Sequence, residues 1–275
     1  MNHLPNYDLS FNLFISFIRS NDPLILWCYT GGGHYFEENF KTLISILGHS
    51  IKVMMVFSNS GALVANRYGF FYDIQKYTHF KDRIFFLFES QEILNFNIEK
   101  ILIKAGFHYF FNRYDPSFSI AQSLSQYSFQ YIIVSPLTSN TAAKICAGVN
   151  DNFITNLITI SIKMGKEIIL VPTDMEEGSV ITKLPIRFLG GRVDQEFENF
   201  LCKYQAIKFI RDTMSYLPEY CVGCKACVHK LPNIFTYGDE IKINVRKIDS
   251  SNISKLAKEF IIVSIPTDIL KLIKK

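Results

Sequence analysis

Short apolar runs alternate with amphipathic stretches over residues 24–171. The apolar runs predict buried strands at 24–30, 51–57, 131–134 and 167–171, with a weaker candidate at 84–88. Apolar residues at helical spacing predict helices at 35–47, 61–69, 92–105, 141–147 and 153–164. Strands that are apolar on both faces and alternate with helices are typical of a parallel sheet covered on both sides. The pattern therefore predicts an α/β fold with a doubly wound parallel sheet.

The character of the sequence changes past residue 185. A helix is predicted at 196–211, followed by a cysteine-rich turn, a strand at 241–245 and a final helix and strand. We expect an N-terminal extension over 1–22, a main domain over 23–188 and a small C-terminal α+β domain over 189–275. A unit as small as the last has a limited core, which a bound metal would help to stabilise.

The composition and charge of the chain limit the partners and the cellular location that we expect. The 275 residues are 48% hydrophobic and 20% charged, which suits a chain with a full core. The net charge of +4 is modest and there is no basic stripe, so we expect no nucleic-acid partner. The longest apolar segments are too short to span a bilayer and no cleavage site follows 9–18, so we expect a cytoplasmic protein with no membrane partner.

Polar loops follow four of the predicted strands, at Thr30–Gly33, Ser58–Ser60, Ser135–Thr141 and Pro172–Asp174. In parallel sheets, ligands bind beyond the carboxyl ends of the strands. The glycines at 31–33 lie between a strand and a helix start, where free backbone N–H groups favour a phosphate. Such turns also occur without a ligand, and Ser58 and Ser60 are equally suited to capping the following helix.

The third loop carries the most specific signal. Residues 136–145 read PLTSNTAAKI, and AGVNDNFIT follows at 147–155. This segment resembles the PASANT-type signature of the flavoprotein superfamily that contains the homo-oligomeric flavin-containing cysteine decarboxylases. Residues 27–34 (WCYTGGGH) and 171–179 (VPTDMEEGS) resemble the WxxTGxGH and VPxDxxGS segments of its archaeal-type flavoproteins and dihydromethanopterin reductases, with one extra Glu in the second. The decarboxylases' PxMNxxMW clamp is absent, and 117–131 lacks the histidine that they use, which disfavours decarboxylation.

The resemblance implies a flavodoxin-like (Rossmann-like) fold that binds FMN in a homo-oligomer, commonly trimer-based, with FMN at subunit contacts. It places the phosphate and ribityl chain against Thr30, Gly31, Gly32, Gly33, Ser58 and Ser60. It places the rest of the cofactor against Pro136, Thr138, Ser139, Asn140, Thr141 and Thr173. The catalytic candidates are Asn140 beside the flavin ring, Asp174 on the open side and His34. The alternative role of His34 is to hydrogen-bond the backbone or the phosphate at a helix start.

A second motif lies near the C-terminus. Cys221, Cys224 and Cys227 have the CxxCxxC spacing that wraps three thiolates around an iron–sulfur cluster. With the following PNIF, the motif resembles single-cluster bacterial ferredoxins, but Leu231 and Ile265 stand where a fourth cysteine is expected. The site could hold a [3Fe–4S] cluster or a [4Fe–4S] cluster with a non-cysteine ligand. Alternatives are zinc completed by His229 or Cys202, or a metal-free remnant.

Together these features predict an FMN-dependent oxidoreductase of the dihydromethanopterin reductase type, which reduces a pterin-like substrate. Its electrons would come from a donor protein or reduced nicotinamide, with an iron–sulfur cluster as a relay. The alternatives are an electron-transfer flavoprotein without its own substrate, a non-redox FMN-dependent decarboxylase or prenyltransferase relative, and a degenerate binding protein.

Overall fold

A computed structural model describes residues 7–91, 97–112, 120–121, 124, 126–190, 202–210 and 213–273. Its centre is a seven-stranded sheet in the order β13-β6-β5-β1-β2-β3-β4. The strands are β1 (Leu24–Tyr29), β2 (Lys52–Phe57), β3 (Ile84–Phe88), β4 (His108–Phe111), β5 (Tyr131–Leu137), β6 (Ile168–Pro172) and β13 (Ile261–Ile262). Every neighbouring pair in this sheet is parallel. The sheet confirms the predicted fold class.

Helices cover both faces of the sheet. They are α1 (Tyr7–Ile18), α2 (Phe36–Gly48), α3 (Asn59–Tyr68), α4 (Phe70–Ile74), α5 (Ile98–Ala105), α6 (Ser139–Ala147), α7 (Phe153–Lys163), α8 (Ala226–Lys230), α9 (Lys247–Leu256) and α10 (Ile269–Ile273). All six side chains of β1 are buried, and they alternate between two hydrophobic clusters, one on each face. Burial on both faces explains why β1 and its neighbours are continuous apolar runs in the sequence. None of the helices in the described part of the chain combines the length and the apolar character needed to cross a bilayer.

Aromatic rings fill much of the core on one face. Phe57 is fully buried at the end of β2, and its ring centroid lies 5.3–5.5 Å from those of Tyr29, Phe71 and Phe88. Such pairs add to the stability that burial of the rings already provides. The end of β2 leads directly into one of the polar loops, so this packing also fixes where that loop begins.

The N-terminal segment packs onto the same domain. In α1, Phe14 is buried and its ring stacks on Phe110 of β4 at 5.6 Å. Neither α1 nor β4 is among the elements predicted from the sequence. Both are rich in aromatic residues, and neither has the clear periodicity of the predicted elements.

The C-terminal part of the chain contributes strands that pair with strands of the preceding part. Strand β13 pairs in parallel with β6, so an element of 189–275 forms one edge of the sheet. Antiparallel pairs join β7 (Gly178–Lys183) to β12 (Glu240–Val245) and β8 (Arg187–Phe188) to β11 (Phe235–Thr236). The division of the chain at 188/189 stays a prediction, and strands pair across it in three places.

One predicted helix is wrong where the structure describes it. Residues Ile207–Ile210 form β9, which pairs with β10 (Thr213–Tyr216) in an antiparallel hairpin, where the sequence predicted a helix over 196–211. The run IKFI consists mostly of β-branched and aromatic residues, which suit a strand, and pairing with β10 overrides any helical preference. Residues 196–201 of the predicted helix lie outside the described residues, as do 92–96 of the helix predicted over 92–105.

We expect Phe57→Ala to lower the free energy of unfolding by about 3–5 kcal/mol, because it leaves a cavity among packed rings. Urea unfolding followed by circular dichroism measures the change. The control is Ile103→Ala, where the side chain is 60% exposed and the change should stay within about 0.5 kcal/mol. Equal losses in the two variants would contradict this account of the core.

Candidate functional site

The four polar loops converge at one edge of the sheet. Strands β6, β5, β1 and β2 are consecutive and parallel, so the segments that follow them emerge side by side. The residues at the strand ends and in the segments that follow include 30–33, 58–60, 135–138 and 173–174. This is the edge at which open α/β sheets bind their ligands.

The Thr30 hydroxyl joins the first loop to the third. It donates to the Pro136 carbonyl at 2.6 Å and accepts from the Thr138 N–H at 3.1 Å. Thr30 is only 2% exposed, so both hydrogen bonds are shielded from water. The side chain predicted to contact the cofactor is therefore committed to holding two loops together.

Buried polar contacts also fix the third loop where β5 becomes irregular. The ladder between β5 and β6 shifts between Val134 and Leu137, a stretch that contains a cis Ser135–Pro136 peptide. The Trp27 ring N–H donates to the Ser135 carbonyl at 2.7 Å, and the Ser135 hydroxyl donates to Asn39 Oδ1 at 2.5 Å. Asn39 was not predicted for the site, and Trp27 was predicted only as part of the 27–34 motif, although a tryptophan in a buried strand must find an acceptor for its N–H.

The glycines of the first loop are packed too closely for side chains. A Cβ on Gly31 would lie 2.9 Å from Ser60 Oγ, and a Cβ on Gly33 would overlap the Tyr68 ring. A Cβ on Gly32 would lie 3.2 Å from both Pro136 and Thr173. Without side chains, the loop presents only backbone groups to its surroundings, as a phosphate-binding turn does.

The second loop is a helix cap. Ser58 Oγ accepts from the Gly61 N–H at 3.0 Å and lies 3.2 Å from Ser60 Oγ, so the capping role considered for Ser58 is present. Glu89 accepts from the N–H groups of Asn59 and Phe153 at 2.9 and 2.8 Å, which fixes the first turns of α3 and α7 together. Glu89 was not predicted from the sequence, because its partners are backbone groups remote in the chain.

The third loop also ends in a helix cap, at the start of α6. Thr138 caps the helix, accepting from the Thr141 N–H at 3.4 Å, and its hydroxyl lies 3.1 Å from that of Thr141. Thr141 is buried, Ser139 is half-buried and Asn140 is exposed in the first turn. Of these residues, Asn140 therefore has the side chain best placed to meet a ligand from solvent.

The fourth loop brings a carboxylate to the edge. The Thr173 hydroxyl donates to Asp174 Oδ2 at 2.7 Å, and its N–H donates to the Leu137 carbonyl at 3.0 Å. His34 is half-buried, and desolvation lowers the pKa of its ring even though Glu38 and Asp174 act to raise it. The net direction favours the neutral imidazole at pH 7.

A cavity of about 490 Å³ lies beside this edge. Of the predicted site residues, only Gly33 and His34 line it. Its other walls come from the start of α2, the end of α3, the β7–β12 region and the cysteine loop, with the aromatic residues Tyr35, Phe36, Phe40, Tyr68 and Tyr237. The sequence did not predict this cavity, because segments far apart in the chain form its walls.

The cysteine loop lies against the end of α3. The Asn66 side chain donates to the Cys221 carbonyl at 3.1 Å, and a Cβ on Gly223 would collide with the backbone of Gly69. Gly223 also has a φ of 64°, which an L side chain adopts only with strain. Glycine is therefore required at this position of the CxxC segment.

The three predicted metal ligands line one cavity of about 190 Å³, and Cys202 lines it as well. Burial raises the pKa of the Cys224 thiol and raises that of Cys227 to about 12, and neighbouring thiols add to both increases. His229 instead lies 3.2 Å from the Tyr237 hydroxyl. Within the described ranges, no three His, Cys, Asp or Glu side chains are arranged to hold a single metal ion.

The sequence and the fold of the chain are both similar to those of known proteins. The family model described as Flavoprotein matches residues 19–183. The chain is 30% identical over 253 residues to "Dihydromethanopterin reductase (acceptor)" of Methanocaldococcus jannaschii, covering 90% of this chain and 94% of the relative. It is 25% identical over 260 residues to the protein of the same name from Methanosarcina mazei, covering 90% and 98%.

Among solved structures, the chain is similar in fold to DmrB of Burkholderia xenovorans in complex with FMN, which is described as a cubic protein cage for redox transfer. The TM-score is 0.50 at 16% identity, and the match covers 92% of this chain and 93% of that one.

We expect Thr30→Val to lower the free energy of unfolding by about 1–3 kcal/mol, because it leaves the Pro136 carbonyl and the Thr138 N–H without their buried partner. Chemical denaturation measures the loss. The matched control is Thr159→Val, whose hydroxyl bonds Asn150 at the surface and whose loss should cost less than about 0.5 kcal/mol. If both variants unfold alike, the Thr30 bridge does not hold the loops together.

Proposed function

Because this chain belongs to the Flavoprotein family, we propose that it is an FMN-dependent oxidoreductase that reduces a pterin-like substrate. The observation that carries the proposal is the 30% identity to a dihydromethanopterin reductase over 94% of that enzyme's length. The match extends past residue 183, where the family model ends, and so includes the C-terminal part of the chain. The resemblance noted in the sequence to the flavoprotein superfamily is confirmed.

The residues at the strand ends fit FMN. A phosphate needs backbone N–H groups and small polar side chains, and these are what the glycine loop and the starts of α3 and α6 offer. The packing of Gly31 against Ser60 and of Gly32 against Pro136 brings the loops together without an intervening side chain. We assign the phosphate and ribityl chain to Thr30–Gly33 and Ser58–Ser60.

We assign the flavin ring to the third and fourth loops. Asn140, exposed in the first turn of α6, donates its amide N–H to the ring, while Thr138, Ser139 and Thr141 shape that turn. Neutral donors of this kind tune a flavin without fixing a charge beside it. Pro136 and Thr173 form the floor beneath the glycine loop, since both lie 3.2 Å from the Cβ position of Gly32.

His34 and Asp174 stand at the open side. Asp174 acts to raise the pKa of the His34 ring, but burial outweighs it and keeps the imidazole neutral near pH 7. A neutral ring can donate a hydrogen bond and also accept one, so His34 can orient a substrate or bind the phosphate. Asp174 can accept an N–H from the amino-substituted ring of a pterin. The flavin, when bound, supplies the two electrons that the substrate takes up together with two protons.

The partners follow from the same assignment. Electrons reach the protein from a donor protein or from reduced nicotinamide, because the reduction consumes two per turnover. We also propose a homo-oligomer, trimer-based, with FMN at the contact between subunits. Support for assembly comes from the structural relative described as a cage, at the level of fold.

Reoxidation of the reduced flavin tests the reaction. The protein is reduced anaerobically, a dihydropterin is added and the flavin absorbance is followed. We expect absorbance to return in proportion to the pterin added, with one tetrahydropterin formed per flavin. Dihydrofolate and dihydromethanopterin, which differ in the side arm, distinguish recognition of the ring from recognition of the side arm. A flavin that stays reduced with every pterin, yet reacts with a one-electron acceptor, would instead identify an electron carrier.

Substitution of Asn140 tests the position of the pocket. We expect Asn140→Ala to weaken FMN binding about tenfold, the cost of one hydrogen bond to the ligand. The matched control is Asn244→Ala, an exposed asparagine on β12, which should bind FMN as the parent protein does. Fluorescence titration of apoprotein with FMN measures both. Unchanged affinity in Asn140→Ala would place the flavin ring elsewhere.

A further inference from the structure

Four cysteines surround one small cavity in the C-terminal part of the chain. Cys221, Cys224 and Cys227 come from the CxxCxxC segment, and Cys202 lies 19 positions before Cys221. The cavity has a volume of about 190 Å³, and its other walls are largely aromatic and aliphatic. The remaining cysteines lie elsewhere: Cys28 is buried in the main sheet, and Cys146 bonds the Asn252 carbonyl.

The β9–β10 hairpin brings Cys202 to the motif. Its two strands pair antiparallel, and the Leu217 N–H donates to the Ala206 carbonyl at 2.8 Å, which closes the base of the hairpin. The chain therefore leaves and returns at the same place, with Cys202 just before the hairpin and Cys221 just after it. The Gln205 N–H donates to the Cys202 carbonyl at 2.9 Å, and the turn that this bond closes sets the direction in which the chain enters β9.

Backbone N–H groups point at the sulfur atoms of the motif. The amide two residues after Cys221 donates to its sulfur at 3.5 Å. The Cys224 and Cys227 sulfurs accept backbone hydrogen bonds from Ala226 and Val228. Backbone hydrogen bonds to cysteine sulfurs are among the interactions that set the potential of iron–sulfur clusters.

The dimensions favour a cluster over a single ion. Four thiolates on one zinc at about 2.3 Å converge on a point and leave no space between them. Here the cysteines instead border a space of about 190 Å³, roughly the volume of six water molecules. A cluster of several iron and sulfide atoms suits a space of this size.

Ferredoxin-like sequences carry a fourth cysteine at the position of Leu231 or of Ile265. In this chain neither residue can ligate a cluster. Leu231 is 1% exposed and packs in the apolar cluster around the motif. Ile265 is 41% exposed and follows β13 at the edge of the main sheet. Neither side chain has a donor atom, whereas Cys202 has a thiol at the wall of the cavity.

We propose that Cys202 is the fourth thiolate of an iron–sulfur site, which it completes with Cys221, Cys224 and Cys227. The fourth ligand thus comes from upstream of the motif, across the β9–β10 hairpin, and the site holds a four-iron cluster. This inference does not depend on the pterin reaction, since a flavoprotein with any acceptor can carry such a site.

Cluster content tests the proposal. The full-length protein is reconstituted anaerobically with ferrous iron and sulfide, desalted and assayed for iron, zinc and acid-labile sulfide. We expect about four iron and four sulfide per chain in the parent protein. Cys202→Ala should lose at least half of both, or convert to a three-iron form that gives an electron paramagnetic resonance signal when oxidised. Cys221→Ala provides the reference for loss of a ligand within the CxxCxxC motif.

Cys146→Ala is the matched control, because Cys146 is also half-buried but lies far from the cavity, and it should keep the parent content. Bound flavin is measured in every variant, so a variant that retains FMN but loses iron is folded. Cys202→Ala with full iron and an unchanged spectrum would overturn the proposal. So would a parent protein that takes up one zinc without sulfide, or that takes up no metal. Each of these results leaves the flavin and pterin measurements unaffected.

Discussion

The structure depends on the parallel alignment of β6, β5, β1 and β2. Because their carboxyl ends share one edge, four loops that are far apart in the sequence become neighbours there. The aromatic and aliphatic side chains of these strands are buried on both faces, so no strand can slip or reverse without exposing one set of them. Hydrogen bonds then connect the loops that follow these fixed strands. The Thr30 hydroxyl joins the first loop to the third, and Glu89 joins the start of α3 to the start of α7.

Helix α3 connects the polar loops at the strand ends to the cysteine loop. Its first residues adjoin Ser58 at the strand ends, and its last turn contacts the cysteine loop through Asn66 and Gly69. A ten-residue helix is about 15 Å long, so these two regions are separated by a short and rigid element. The close contact of Gly69 with Gly223 leaves no space for a side chain on either residue, which fixes how the cysteine loop sits on the helix.

The sequence predicted the part of the fold that follows from local pattern. The buried strands, the helices between them and the polar loops at their ends all have strong periodicity or turn signals, and the flavoprotein signature at 136–155 identified the family. Elements whose state depends on remote partners were missed or wrong: β4 gains its strand conformation from the sheet, and Ile207–Ile210 from β10. Asn39, Glu89 and the hydrogen bond of Trp27 were missed for the same reason, because the hydrogen-bond partners are distant in the chain.

The addition of β13 to the edge of the main sheet has a consequence for synthesis of the chain. Ile261 pairs with Ile169, 92 residues earlier, so β6 emerges from the ribosome well before the strand that covers it. During that interval β6 is an unprotected edge whose backbone N–H and C=O groups can pair with any extended chain nearby. Contacts at such long range also close slowly, because the intervening chain must first be ordered. The sheet is therefore completed only late, and the nascent protein is most prone to aggregation while residues 173–260 are being made.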